Sequence, residues 1–167
     1  DLPHGMTYVP TVFVDNDVFV NGNTEHLGWL IMGRVKTMCE THGISFHEIQ
    51  LDCDWTERTQ EKFFKLIENM QACDTTMRFS ATIRLHQLNM PAPPVRYGVL
   101  MLYNTGDFRK AYDVNGHNPI LDHRDVEPYM KYLKDYPLTI CAAYPNFSWQ
   151  LLFDGKTFKV RLKATDS

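Results

Sequence analysis

Phe46-His47-Glu48-Ile49-Gln50-Leu51-Asp52-Cys53-Asp54-Trp55-Thr56 is the stretch on which the fold turns. It belongs to a run that opens at Ile44 and alternates apolar with polar residues, the period of a β-strand, which we place over residues 44–52. Side chains two apart share a strand face, so Asp52 and Asp54 point one way and Leu51 and Cys53 the other. Helical patterns flank this strand on both sides. Upstream, from about Thr24 to His42, the residues Leu27, Leu30, Ile31, Val35 and Met38 form an apolar stripe, with Asn23 or Thr24 as cap and Gly43 as terminator. Downstream, from about Thr59 to Cys73, Phe63, Phe64, Ile67 and Met70 mark a second buried side. Leu51 and Cys53 therefore face covering helices, and the two acids face away from them.

The same alternation extends in both directions. A first strand runs from Tyr8 to Val14, interrupted by Pro10 and followed by the turn-rich Asp15-Asn16-Asp17. A third covers Met77 to Leu85, with a polar, Pro-rich segment (Gln87 to Pro94) after it. The fourth, Tyr97 to Tyr103, is nearly continuously apolar, as expected when both faces are covered. A long loop of Gly, Asn, Asp and His spans Asn104 to Arg124, a length more often functional than filler. Asp125 then caps a third helix carrying Val126, Tyr129, Met130 and Leu133, which Pro137 stops. A fifth strand, Leu138 to Tyr144, precedes a β-hairpin from Trp149 to Leu162 turning at Asp154-Gly155.

Strands alternating with helices imply parallel pairing. An open doubly wound sheet and a barrel both fit, but no Gly-rich phosphate loop follows any strand. A full barrel takes ~250 residues and eight repeats. With 167 residues and about five strands, the barrel alternative would be an α/β, TIM-barrel-like domain of (β/α) repeats. It would be an incomplete or partial barrel, a section of a longer one, ending in a C-terminal β-hairpin.

Composition removes several classes of function. The chain is 44% hydrophobic and 13% aromatic, enough for a core, and no apolar run reaches the ~18 residues of a membrane span. Its net charge is -3 without a Lys/Arg cluster, which argues against a nucleic-acid binder working through a basic face. Four scattered cysteines (Cys39, Cys53, Cys73, Cys141) form no CxxC pair. His117 and His123 lack ligand spacing, so neither a metal nor a cofactor is expected. No GxSxG or Cys–His arrangement supports ester or peptide hydrolysis. The chain opens on Asp1 without a signal-peptide pattern, and we read it as a processed or trimmed product.

The candidate site follows from the strand ends. Two acids on one face at the carboxyl end of a parallel strand stand where barrels and open α/β sheets place their ligands. Asp54 and Asp52 are accordingly the candidate catalytic residues. The alternative is that the pair ties down a loop or bonds to Arg84 and backbone amides. On the next strand Ser80, Thr82, Arg84 and His86 share a polar face that needs hydrogen-bond partners. Arg84 either contacts substrate or joins an Asp to hold two strands in register. His86 and Gln87 at the mouth, Tyr103 and Asn104 after the fourth strand, and Tyr144 and Trp149 after the fifth complete the candidate substrate-binding set. Aromatic faces at such a mouth suit the apolar faces of sugar rings.

The stretches LDCDWT, FSATIRLHQL, LMLYN and YPLTICAAYPNFSW, in this order, resemble an uncharacterised family of bacterial exported TIM-barrel-like proteins, over about Tyr8 to Phe153. The resemblance implies a barrel related to glycoside hydrolases and an extracytoplasmic location, periplasmic or cell-surface. A more distant similarity reaches the chitinase-like glycoside hydrolases, whose strand motif is D-x-x-D-x-D-x-E with M-x-Y-D on a later strand. Asp52 and Asp54 match the inner acids, and Met101 and Tyr103 the later motif. Ile49, Thr56 and Asn104 stand where that family has Asp, the general-acid Glu and Asp. Thr56 has no proton to give at a useful pKa. Glu57 would point to the opposite side, so Asp54 would have to serve as the acid, with a second carboxylate from outside this chain.

These features lead us to expect a glycoside-hydrolase-like protein acting on or binding carbohydrate at the carboxyl ends of its strands. The alternative is a non-catalytic carbohydrate-binding or scaffold protein on a decayed hydrolase fold, and a third is a cytoplasmic α/β domain for a small metabolite.

Overall fold

The computed structural model describes residues 5–22, 24–110 and 117–163. Asn23, a candidate cap above, and residues 111–116 of the long loop lie outside the described residues. Five strands, β1 (Thr11–Phe13), β2 (Glu48–Asp52), β3 (Arg78–Ile83), β4 (Tyr97–Met101) and β5 (Thr139–Ala143), form one sheet in the order β1-β2-β3-β4-β5. Every pairing in it is parallel. The helices are α1 (Asp17–Asn21), α2 (Leu27–Thr41), α3 (Gln60–Cys73) and α4 (His123–Leu133). Strands β6 (Trp149–Asp154) and β7 (Thr157–Lys163) pair antiparallel as a separate two-stranded sheet. Gly155 takes the left-handed φ of 57° that their tight turn requires.

The alternation of β2 sets the core. Ile49, Leu51 and Cys53 are fully buried in one cluster with Phe63, Leu66, Ile67 and Met70 of α3, spaced as one helix face. Trp55 continues this side, its ring stacked on Phe63 at 5.0 Å. The other face of β2 is polar. Glu48, buried, accepts hydrogen bonds from Ser80 on β3 and from the Tyr97 hydroxyl on β4, so one carboxylate ties three strands together. That bond to Glu48, with burial adding, raises the Tyr97 phenol above its ordinary pKa. Across the sheet this face ends in Phe13 (65% exposed) and the exposed Cys141.

Several expectations need correction. The buried side of α2 is Gly28, Met32, Val35 and Cys39, while Leu30 and Met38 are about half exposed. The helix is apolar around most of its girth, so periodicity could not choose a side. Close approach to α3 chooses it: a Cβ at Gly28 would stand 3.1 Å from Met70 Cγ. Leu30 and Met38 instead line an apolar groove of about 650 Å³ beside Thr11 and Phe13 of the edge strand β1. The turn-rich residues after β1 lead into the short α1, which starts at Asp17 with Asn16 as its cap. The cap of α4 is Asp122, whose carboxylate accepts from the Arg124 amide, so Asp125 sits inside the first turn. The Arg124 guanidinium also bonds Asp122 and holds its carboxyl well below the usual range. On β4 only the Gly98 and Leu100 side is fully buried; Tyr97, Val99 and Met101 are half-buried. Among the described residues no helix is long and apolar enough to cross a membrane.

Candidate functional site

The parallel sheet aligns the carboxyl ends of β2, β3 and β4, and a cavity of about 340 Å³ opens there. Asp54, Arg84 and His86 form one wall. Tyr103 and Asn104, just past β4, and Asp125 and Tyr129 of α4 stand opposite among the other lining residues.

The two acids of the LDCD stretch share a face but divide the work. Asp52 Oδ1 accepts from Thr82 Oγ1 at 2.7 Å and from Arg84 Nη1 at 3.0 Å, and both side chains of the ion pair are about one-fifth exposed. Asp52 is thus a brace between β2 and β3 and does not line the cavity. Asp54, one pleat further and 55% exposed, does. Arg84 Nε at 3.4 Å and His86 Nε2 at 3.3 Å both approach its Oδ1. No hydrogen bond or ion pair among the described residues engages Oδ2, which is left for a ligand. Arg84 is shared: it joins Asp52, Asp54 and the sulfur of Met101, and so holds three strands while lining the cavity.

Gln87 lies elsewhere. A 3-10 turn over Leu85–Asn89 rotates its side chain inward, where it is fully buried. Its Oε1 accepts from the Arg84 amide at 2.8 Å, and its Nε2 donates to the carbonyls of Cys53 (3.3 Å) and Trp55 (3.1 Å). Gln87 therefore fixes the backbone that carries Asp54 and has no free atom for a ligand. Tyr144 is 66% exposed and lines none of this cavity. Trp149 is packed on the hairpin, stacked on Phe147 at 5.5 Å, edge-on to Phe108 at 5.8 Å and covered by the Arg161 guanidinium at 4.6 Å. Phe147 meets Tyr103 edge-on at 6.1 Å and so links that aromatic cluster to the cavity wall.

The sequence reading missed the second wall. Asp125 Oδ2 accepts from Thr105 Oγ1 at 3.2 Å and pairs with His117 Nε2 at 2.7 Å, leaving Oδ1 unengaged among the described residues. The spacing of Gly106 permits this: a Cβ there would lie 3.0 Å from Asp125 Oδ2 and 3.1 Å from Pro119 Cα. The cavity thus carries the His86–Asp54 pair and the carboxylate of a second pair, Asp125, whose partner His117 lies outside the lining; each carboxylate has one oxygen held and one open. The sequence shows of this second pair only a His in a long polar loop and an Asp at the boundary of the helix that follows it.

The Tyr103 phenol lines the cavity. Burial, and then the negative charge of Asp52, raise its pKa above the ordinary value, and Arg84 offsets this in part. Asn104 takes a left-handed φ of 56°, a conformation Asn tolerates better than most residues, and this turns the chain at the cavity rim. Thr56 is held by its neighbour: its amide donates to Thr59 Oγ1 at 3.0 Å, and the two hydroxyls lie 3.3 Å apart. Among the described residues no cluster of three His, Cys, Asp or Glu is placed to hold a metal ion.

No family model, curated protein or solved structure matches this chain.

Proposed function

We propose that this chain is a section of a TIM-barrel-like, glycoside-hydrolase-type protein that handles carbohydrate in the cavity at the carboxyl ends of β2, β3 and β4. The single observation carrying this reading is that two carboxylates, Asp54 and Asp125, line one cavity, each with an oxygen free. Glycoside hydrolysis needs two carboxyl groups on opposite sides of the scissile bond. Vicinal sugar hydroxyls likewise need paired acceptors and donors. Asp54 and Asp125 supply acceptors; Arg84, His86, Tyr103 and Asn104 supply donors. The Tyr103 and Tyr129 rings suit the apolar faces of a pyranose.

The barrel part of the reading is supported by the sheet. All-parallel sheets are covered on both faces; here the polar face is buried at Glu48, Ser80 and Thr82 but exposed toward its edges at Phe13 and Cys141, and the strands follow one another without reversal. A polar interior closed by further strands at the β1 and β5 edges satisfies both facts. An extracytoplasmic location belongs to the same proposal, on the sequence resemblance.

In this scheme Asp54 is the acid/base or orients the attacking group, and Asp125 is its partner across the ring. The second reading, a carbohydrate-binding protein without turnover, is favoured by Thr56, a hydroxyl tied to Thr59 where a general acid would stand. Glycan-array binding followed by product analysis separates the two. We expect binding that falls at least tenfold in both Asp54→Asn and Asp125→Asn. Product release lost in both variants marks an enzyme, and binding without product marks the second reading. Full binding by both variants refutes the site.

A further inference from the structure

A second cavity, of about 810 Å³, lies on the α1 and α3 side of the same rim. Its walls include Thr56, Glu57, Arg58 and Lys62, with Phe19 and Met90 contributing apolar surface. His86 lines both cavities, so the two meet at one side chain. They differ in charge. The first carries Asp54 and Asp125, with Arg84 already paired to Asp52. The second carries two cations against one acid, Glu57. Lys62 donates to the Phe19 carbonyl at 2.7 Å and keeps further N–H groups to offer. Arg58 is exposed and makes no hydrogen bond or ion pair among the described residues.

We infer that the ligand is an acidic oligosaccharide, which places one ring beside Asp54 and Asp125 and runs past His86 so that a carboxylate-bearing ring lies over Arg58 and Lys62. This rests on the carbohydrate reading of the first cavity and extends it to a substrate class. The first cavity is near the lower end of the ~300–1,000 Å³ range of ligand pockets, room for one ring, whereas the second holds the continuation of a chain. A guanidinium with no internal partner, at the edge of a partly apolar cavity, recognises a carboxylate by a bidentate, charge-assisted contact. A neutral glycan would leave that group unused.

The test is calorimetric titration with galactose, with neutral galactotriose, and with the same trisaccharide carrying a carboxylate on its terminal ring (galacturonic acid in place of galactose). Affinity should rise at least tenfold from monomer to acidic trimer, and the neutral trimer should bind five- to tenfold more weakly than the acidic one. Arg58→Glu, an exposed position whose change leaves the fold intact, should abolish the preference for acidic trimer and leave monomer affinity unchanged. Acidic trimer and monomer binding equally, or an acid-to-neutral ratio unmoved by Arg58→Glu, overturns the inference, and Asp54-dependent monomer binding then leaves the first cavity's reading standing. Absence of binding by every member, acidic or neutral, overturns both.

Discussion

Substituting Asn for Asp52 or Asp54 should have opposite consequences although the two residues share a face and an arginine. Asp52 is about one-fifth exposed and accepts two hydrogen bonds, from Thr82 at 2.7 Å and from Arg84 at 3.0 Å. In Asp52→Asn the remaining oxygen is neutral and Arg84, itself 23% exposed, keeps the 3.4 Å contact with Asp54 as its one ion pair among the described residues, beside its bond to the Met101 sulfur. Hydrogen bonds to charged groups contribute ~1.5–3 kcal/mol, and stranding a buried charge costs more. Discounted for partial exposure, the loss is about 2 kcal/mol, a fall of ~4–8 °C in Tm for a chain of this length. Asp54 is 55% exposed, and exposed ion pairs contribute ~0–1 kcal/mol, so Asp54→Asn should move Tm by less than ~4 °C. Its effect should appear in saccharide affinity instead. Thermal and urea denaturation of both variants, read beside a binding isotherm, checks this. Equal destabilisation by the two substitutions, or unchanged affinity in Asp54→Asn, would refute the division into brace and ligand group.

Three further outcomes are expected. Gln87→Leu strips partners from the Arg84 amide and the Cys53 and Trp55 carbonyls inside the protein, so it should cost about 2–4 kcal/mol in urea denaturation; a neutral change would show that water replaces the amide. Asn104→Ala should cost about 1–2 kcal/mol because alanine resists the left-handed φ of 56°, whereas Asn104→Gly should be stable to within ~0.5 kcal/mol; equal stabilities would contradict the backbone argument. Burial pushes the Cys53 thiol and the Tyr136 phenol each up to about 12, so the unfolded chain releases these protons first and stability should fall as pH rises from about 9 toward 12. Urea midpoints from pH 8 to 11 test this, with a flatter profile expected for Cys53→Ala/Tyr136→Phe; a flat wild-type profile would contradict it.

What the sequence revealed was whatever depends on local period. The i, i+2 rule was enough to put Asp52 and Asp54 on one face and Cys53 in the core, and the helical spacing of Phe63, Ile67 and Met70 located the buried side of α3. Period failed where a helix is apolar all round, as in α2, because a contact at Gly28 and not the pattern orients it. It failed again at Gln87, whose polarity suggested a cavity mouth while a 3-10 turn directs it at backbone carbonyls. In the sequence Asp125 reads as a helix cap because capping is the usual work of an Asp at such a boundary. Its contacts with Thr105 and His117 span 20 and 8 residues, and no local rule links them.

The most direct measurement is a crystal structure of the protein soaked with the saccharide that binds it most tightly. The account predicts a sugar ring between Asp54 and Asp125, hydroxyls meeting Asp54 Oδ2 and Asp125 Oδ1, and a face against Tyr103 or Tyr129. A ring seated instead on the hairpin aromatics or in the β1 groove, with Asp54 bonded only to Arg84 and His86, would contradict it.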